Sequence, residues 1–196
     1  MADVRVIKAM PEHVPAIRAM VQAAYAKYVE RIGRPPAPML ADYEKMLAGN
    51  AQEVWVLARE STTTDAPASS STPNSDSEKG DGQQKQSEPG EQEGGGRGQA
   101  ALGSVIVALD PQCATALKIN NLVVDPNSQG KGYGRVLMGF AEELARNRGL
   151  CKLTLFTNVM MWENIGLYAK LGFAETGRRV EDGYERVYFE KSLRPY

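Results

Sequence analysis

Apolar residues in this chain recur with two different periods, and the two alternate along its length. Alternation by two marks RVIKAM near the N-terminus, EVWVLARE (Glu53–Glu60), ALGSVIVALD (Ala101–Asp110), ALKINNLVVDP, CKLTLFT, FAETGRRV and ERVYFEKSL, and each predicts a strand. Helical spacing appears from about His13 to Glu30, with Val14, Ile17, Val21 and Tyr25 on one stripe. It reappears in ADYEKMLA, from about Gly132 to Arg148, and around MWENIGLYAKLGF. RIGRPPAPM ends the first helix through its glycine and prolines. These elements predict one three-layer α/β domain with a mixed sheet, spanning residues 3–196.

One stretch has neither period. Residues 61–99 contain no Val, Ile, Leu, Met, Cys or aromatic residue. Such a segment buries too little apolar surface to offset its ordering entropy, so disorder is expected there. It lies between two predicted strands, as an expanded hairpin loop, and loop-closure cost grows only slowly with length. Either a neutral insertion or a regulatory tail rich in Ser and Thr fits this composition. The insert carries a net −4 against −1 for the whole chain of 196 residues, so the remainder carries +3.

That balance offers no global field for nucleic acid, and no apolar run reaches the length of a membrane span. The N-terminus lacks the apolar core of a signal peptide, so a cytoplasmic protein is expected. Cys113 and Cys151 are too few for a disulfide framework or a zinc site. His13, the single histidine, is expected on the solvated first turn of the first helix.

The chemistry concentrates in VVDPNSQGKGYGRVL. Its glycines stand immediately before a helix, where unpaired N–H groups and the positive end of the dipole meet an anion. Gln129 adds an amide, and Lys131 and Arg135 add charge. The spacing fits neither the Walker loop nor the dinucleotide fingerprint, whose third glycine would come one position later.

VVDPNSQGKGYG resembles the acyl-CoA signature of the GNAT superfamily of N-acetyltransferases, V-x-P-x-x-[QR]-x-x-G-x-[GA]. Val124, Pro126, Gln129, Gly132 and Gly134 fall in register, and ENIGLYAKLGFAETGRR resembles the family's later motif. The resemblance implies the GNAT fold: a mostly antiparallel twisted sheet, splayed between two central parallel strands and flanked by helices. It implies acetyl-CoA as the acyl donor; no metal is expected, because two cysteines and one histidine offer too few ligands. Leu122, Val123 and Val124 would pair with the pantetheine arm. The turn Gly130, Lys131, Gly132, Tyr133, Gly134 and Arg135 would cradle the pyrophosphate, helped by Gln129. Asn158 and Asn164 are further candidate CoA contacts, although Asn158 equally fits a helix N-cap.

The implied reaction is direct attack of a primary amine on the thioester, with Tyr168 as general acid to the departing thiolate. Asn164, Leu167, Tyr168 and Leu171 also share the spacing of an ordinary packed helix face. Glu53, Asp42 and Asp125 are the acidic residues considered for a base, and none occupies a position that demands the role. The acceptor is expected to be a small-molecule amine, selected by YAKYVERIGRPPAPMLADYEKM through Tyr28, Arg31, Arg34 and Tyr43, with Tyr25 at its start. The alternatives are an acyl-CoA-binding module without catalysis and an enzyme acting on a protein N-terminus or lysine. Monomer and homodimer both fit.

Overall fold

The computed structural model describes residues 4–59 and 101–193. Seven strands form one sheet: β1 (Val4–Lys8), β2 (Glu53–Arg59), β3 (Ala101–Asp110), β4 (Cys113–Val124), β5 (Lys152–Asn158), β6 (Ala174–Glu181) and β7 (Tyr184–Ser192). Among the described residues four α-helices accompany them: α1 (Val14–Ile32), α2 (Tyr43–Ala48), α3 (Tyr133–Asn147) and α4 (Trp162–Lys170). The strand order is β1-β2-β3-β4-β5-β7-β6, and only β4 and β5 run parallel. β2 and β3 pair antiparallel as the two arms expected to flank the insert, while residues 61–99 themselves lie outside the described residues. Among the described residues no helix is long and apolar enough to cross a membrane.

Alternation along the strands divides the core between the two faces of the sheet. Val105 and Val107 of β3 pack with Leu137, Met138 and Ala141 of α3, whereas Ile106 packs with Val14, Ile17 and Val21 of α1. α3 approaches β3 closely at Gly103, where an added Cβ would lie 2.9 Å from the Val123 carbonyl oxygen and 3.0 Å from Leu137 Cδ1. α1 ends at Gly33, whose φ of 79° closes the helix with a 2.9 Å bond from its N–H to the Val29 carbonyl.

His13, expected in solvent, is 4% exposed. It ends a 3-10 turn at Pro11–His13, and its Nδ1 accepts the Met10 N–H at 2.9 Å. The imidazole satisfies a backbone donor that the turn leaves open, so it folds inward rather than outward.

The feature that shapes the site is a break in β4. Its pairing with β5 runs from Ala116↔Lys152 to Ile119↔Leu155 and then stops. At that point the register with β3 shifts, with Ile106 opposite Asn121 and Val107 opposite Ile119, so no β3 residue stands opposite Asn120. This bulge bends the strand and reverses which face the next side chains take. Ile119 joins the core beside α3, whereas Val123 joins the core beside α1. Beyond the bulge, β4 and β5 have no ladder between them.

Candidate active site

A turn with a fixed shape follows β4. The Asp125 N–H donates to the Leu102 carbonyl at 3.0 Å, and its carboxylate accepts from the Asn127 N–H and the Ser128 hydroxyl, both at 3.3 Å. Gln129 Nε2 donates to the Val124 carbonyl at 3.2 Å, which folds the chain back on the strand end. Gly130 and Gly132 then take φ values of 78° and 83°, a left-handed conformation that other residues enter at a cost. The first helical donors, Arg135 and Val136, both reach the Gly132 carbonyl, at 2.9 and 3.2 Å. Among the described residues none of the N–H groups from Gly130 to Gly134 has a backbone acceptor. Together with the dipole of α3 they make a cradle for an anion.

This cradle is one end of a cleft of about 700 Å³. Leu122, Val123 and Val124 line it along β4, and Gln129, Gly130, Gly132, Tyr133, Gly134 and Arg135 line it at the turn. Lys131 is exposed and does not line the cleft. Lys27 and Tyr28 of α1 form one wall, and Trp162, Glu163 and Leu167 of α4 form the opposite one. The walls are joined: Arg31 donates to both carboxylate oxygens of Glu163, at 2.8 and 2.9 Å, and its guanidinium lies 4.0 Å from the Trp162 ring centroid.

A smaller cavity of about 70 Å³ occupies the space opened by the splay, between β4 and β5. Asn120 and Asn121 come from β4, Phe156, Thr157 and Asn158 from β5, and Tyr184 and Arg186 from β7. Pro36, Ala37 and Pro38 close it from the loop after α1. That loop is pinned from below. Arg34 donates to the Asp182 carbonyl at 2.6 Å and lies 3.4 Å from the Tyr184 ring centroid, and the Tyr184 hydroxyl donates to the Pro35 carbonyl at 2.7 Å.

Cleft and cavity share a wall made of Tyr25, Leu122, Asn164 and Tyr168. Tyr168 is held there by rings, with centroids 5.9 Å from Phe173 and 5.6 Å from Phe189. Burial pushes its phenol up to about 12. The Tyr25 hydroxyl donates to Asn121 Oδ1 at 2.7 Å, and burial raises its pKa still further. Two protonated phenols therefore stand where the two spaces meet.

The structure distributes the residues expected to meet the acceptor among three places. Tyr28 is buried and lines the larger cleft, beside α4. Arg31 is engaged by Glu163, and Arg34 by the β6–β7 turn, and neither lines the cavity. Tyr43 is 2% exposed under the loop, its hydroxyl donating to the Pro38 carbonyl at 2.8 Å. Asn164 lines both spaces, whereas Asn158 lines only the smaller one. Asn158 does not cap α4. Its Oδ1 accepts the Met160 N–H at 2.9 Å, in the bend before that helix.

The three acidic residues considered for a base are occupied elsewhere. Glu53 binds Arg148 at 2.6 and 3.0 Å, Asp42 caps α2 through the Lys45 N–H, and Asp125 braces the glycine turn. Asn121, Phe156, Tyr184 and Arg186 were absent from the expected site. Only alternation hints at the last two: ERVYFEKSL begins at Glu185, and extending its period back by one residue puts Tyr184 on the face of Arg186. Among the described residues no three His, Cys, Asp or Glu side chains stand close enough to share a metal ion.

Known proteins with this pattern point in one direction. The model of the acetyltransferase (GNAT) family matches residues 67–173, just over half of the chain. IAA acetyltransferase from Azospirillum brasilense is 33% identical over 81 residues, 41% of this chain and 52% of that protein. Streptothricin acetyltransferase from Streptomyces lavendulae is 41% identical over 61 residues, 31% of this chain and 32% of that protein. The chain thus aligns with about half of the first relative and a third of the second. Over nearly its whole length it superposes on the ribosomal-protein-S18-alanine N-acetyltransferase of Escherichia coli, with a TM-score of 0.60 at 17% identity, covering 98% of this chain and 96% of that one. That likeness shows the same fold: a mixed seven-stranded sheet with flanking helices. With the glycine turn, the splayed strands and the family match in agreement, the chain belongs to the acetyltransferase (GNAT) family.

Proposed function

We propose that this protein transfers the acetyl group of acetyl-CoA, the donor its family uses, to the primary amine of a small molecule. The observation that carries this reading is the position of Tyr168, in the wall shared by the anion-binding cleft and the cavity beside β5. The two relatives are named for acetylating IAA and streptothricin, which favours a small acceptor over a protein.

In this reading the pyrophosphate lies against the N–H groups of Gly130 to Gly134, and pantetheine runs along the unpaired edge of β4 at Leu122, Val123 and Val124. The thioester then comes to the shared wall, and the amine approaches from the smaller cavity. Nitrogen attacks the carbonyl carbon, a C–N bond forms, and the C–S bond breaks with its electron pair going to sulfur. Tyr168 gives its proton to that sulfur, and the proton lost by nitrogen restores the phenol. Amine and acetyl-CoA thus become amide and CoA thiol.

Burial supports the role of Tyr168 twice. A phenol at about 12 stays protonated at neutral pH. The same surroundings also disfavour a bare thiolate, and the proton that nitrogen gives up offsets the cost of drawing one from a phenol of raised pKa. Incubation of the protein with acetyl-CoA and a panel of amines, followed by thiol titration and mass spectrometry, tests the proposal. Acetylated amine with stoichiometric thiol is the expected result. Binding of CoA with no product from any amine would instead identify a sensor.

A further inference from the structure

The wall of the cavity beyond Tyr168 carries one charged side chain among the described residues, Arg186, and no carboxylate. The guanidinium lies 4.4 Å from the Phe156 ring centroid. Its partners, Glu181 at 2.7 Å and Asp182 at 2.9 Å, belong to the β6–β7 end and do not line the cavity. The other polar side chains there are neutral, and several are already engaged. Asn120 Nδ2 donates to Gln52 at 3.0 Å, Asn121 Oδ1 accepts from Tyr25, and Tyr184 donates to Pro35. Ile32, Pro36, Pro38 and Phe156 supply the apolar surface.

An ammonium ion entering such a space loses its hydration and meets no lining carboxylate to replace it, while the guanidinium there is already paired with Glu181 and Asp182. The neutral form of an amine loses far less, and amide and phenol groups can hydrogen-bond it. A second ammonium on the same molecule would carry the same penalty again. We infer that the acceptor is a compact primary amine with no second positive charge, and that polyamines and other polycations are discriminated against. This inference rests on the acetyl-transfer reading above. It also fits a cavity lined, among the described residues, by no carboxylate that could serve as base, because the cavity itself selects the neutral amine.

The test uses the full chain with acetyl-CoA and matched pairs of amines, each a monoamine and the diamine of the same length, including pentylamine with 1,5-diaminopentane. Thiol release at neutral pH gives kcat/KM for each. The monoamine should be preferred by about ten-fold or more in every productive pair. Asn158→Asp keeps an oxygen for the Met160 N–H and adds a carboxylate to the wall. It should reduce that preference by about ten-fold. A preference for the diamine by the unaltered protein would overturn the inference and leave acetyl transfer standing. So would an unchanged ratio in an Asn158→Asp protein that melts normally. Thiol release from none of the amines would overturn the inference and the acetyl-transfer reading together.

Discussion

Arg31 and Glu163 form a two-point clasp between α1 and α4, with bonds of 2.8 and 2.9 Å across the outer side of the larger cleft. Both side chains are part-exposed, so the clasp contributes only about 0–1 kcal/mol to folding. Its effect is on the cleft. Arg31→Ala should raise the KM for acetyl-CoA about three- to ten-fold while the melting temperature and the acceptor KM barely move. Arg34→Ala loosens the proline loop over the smaller cavity instead, and should raise the acceptor KM alone. Steady-state kinetics with each substrate varied in turn separate the two.

Two glycines should fail in different ways. At Gly103 an alanine Cβ has no room, and overpacking against Val123 and Leu137 should cost about 1–3 kcal/mol without a specific effect on the cofactor. At Gly132 nothing lies within 4 Å of an added Cβ, so the cost comes from the φ of 83°. Gly132→Ala should lose about 1–2 kcal/mol of stability. It should also weaken acetyl-CoA binding, because relaxing that φ turns the N–H cradle away. Calorimetric titration beside thermal melts distinguishes the pair.

The Glu53–Arg148 pair sets a pH dependence. Hydrogen bonds from Arg148 hold the Glu53 carboxyl below its ordinary 4.5, with desolvation opposing and the charges of Arg148 and Lys8 helping. The folded pKa lies below the unfolded one, so the stabilisation is complete above 4.5 and is lost as pH falls through the folded value. Glu53→Gln should therefore lower the melting temperature by about 2–4 °C at neutral pH. That difference should close as the solution is acidified below about pH 4.5. A difference that widened in acid would reverse the sign of this coupling.

Most of the architecture is visible in the chain because it is local. Val105, Ile106 and Val107 alternate as a strand must, and Leu137, Met138 and Ala141 recur as a helix must. The glycine turn is equally local, since its conformation depends on residues within one stretch. The smaller cavity is not local. It draws Tyr25 from α1, Asn121 from β4, Phe156 from β5 and Arg186 from β7. The bulge at Asn120 adds a further obstacle, because simple alternation along KINNLVV puts Ile119, Asn121 and Val123 on one face. In the fold Ile119 turns toward α3, while Val123 packs beside α1 and Asn121 bonds to Tyr25 of that helix. His13 was misplaced for a related reason: its partner is a backbone N–H, which no side-chain pattern reveals.

Tyr25 and Tyr168 share the wall between the two spaces, and they should respond differently to loss of the hydroxyl. Tyr25→Phe removes the donor to Asn121 Oδ1 and leaves a buried acceptor without a partner, at a cost of about 1–3 kcal/mol. Its kcat should stay within a few-fold of the unaltered protein.

Tyr168 carries the central claim. Among the described residues the hydroxyl of Tyr168 makes no hydrogen bond that Tyr168→Phe would break, so the fold and the thermal shift produced by acetyl-CoA should survive the change. The decisive measurement is kcat of Tyr168→Phe at saturating amine and saturating acetyl-CoA. A fall of about a hundred-fold or more, with acetyl-CoA still bound, is the predicted result. Turnover equal to that of the unaltered protein would contradict it.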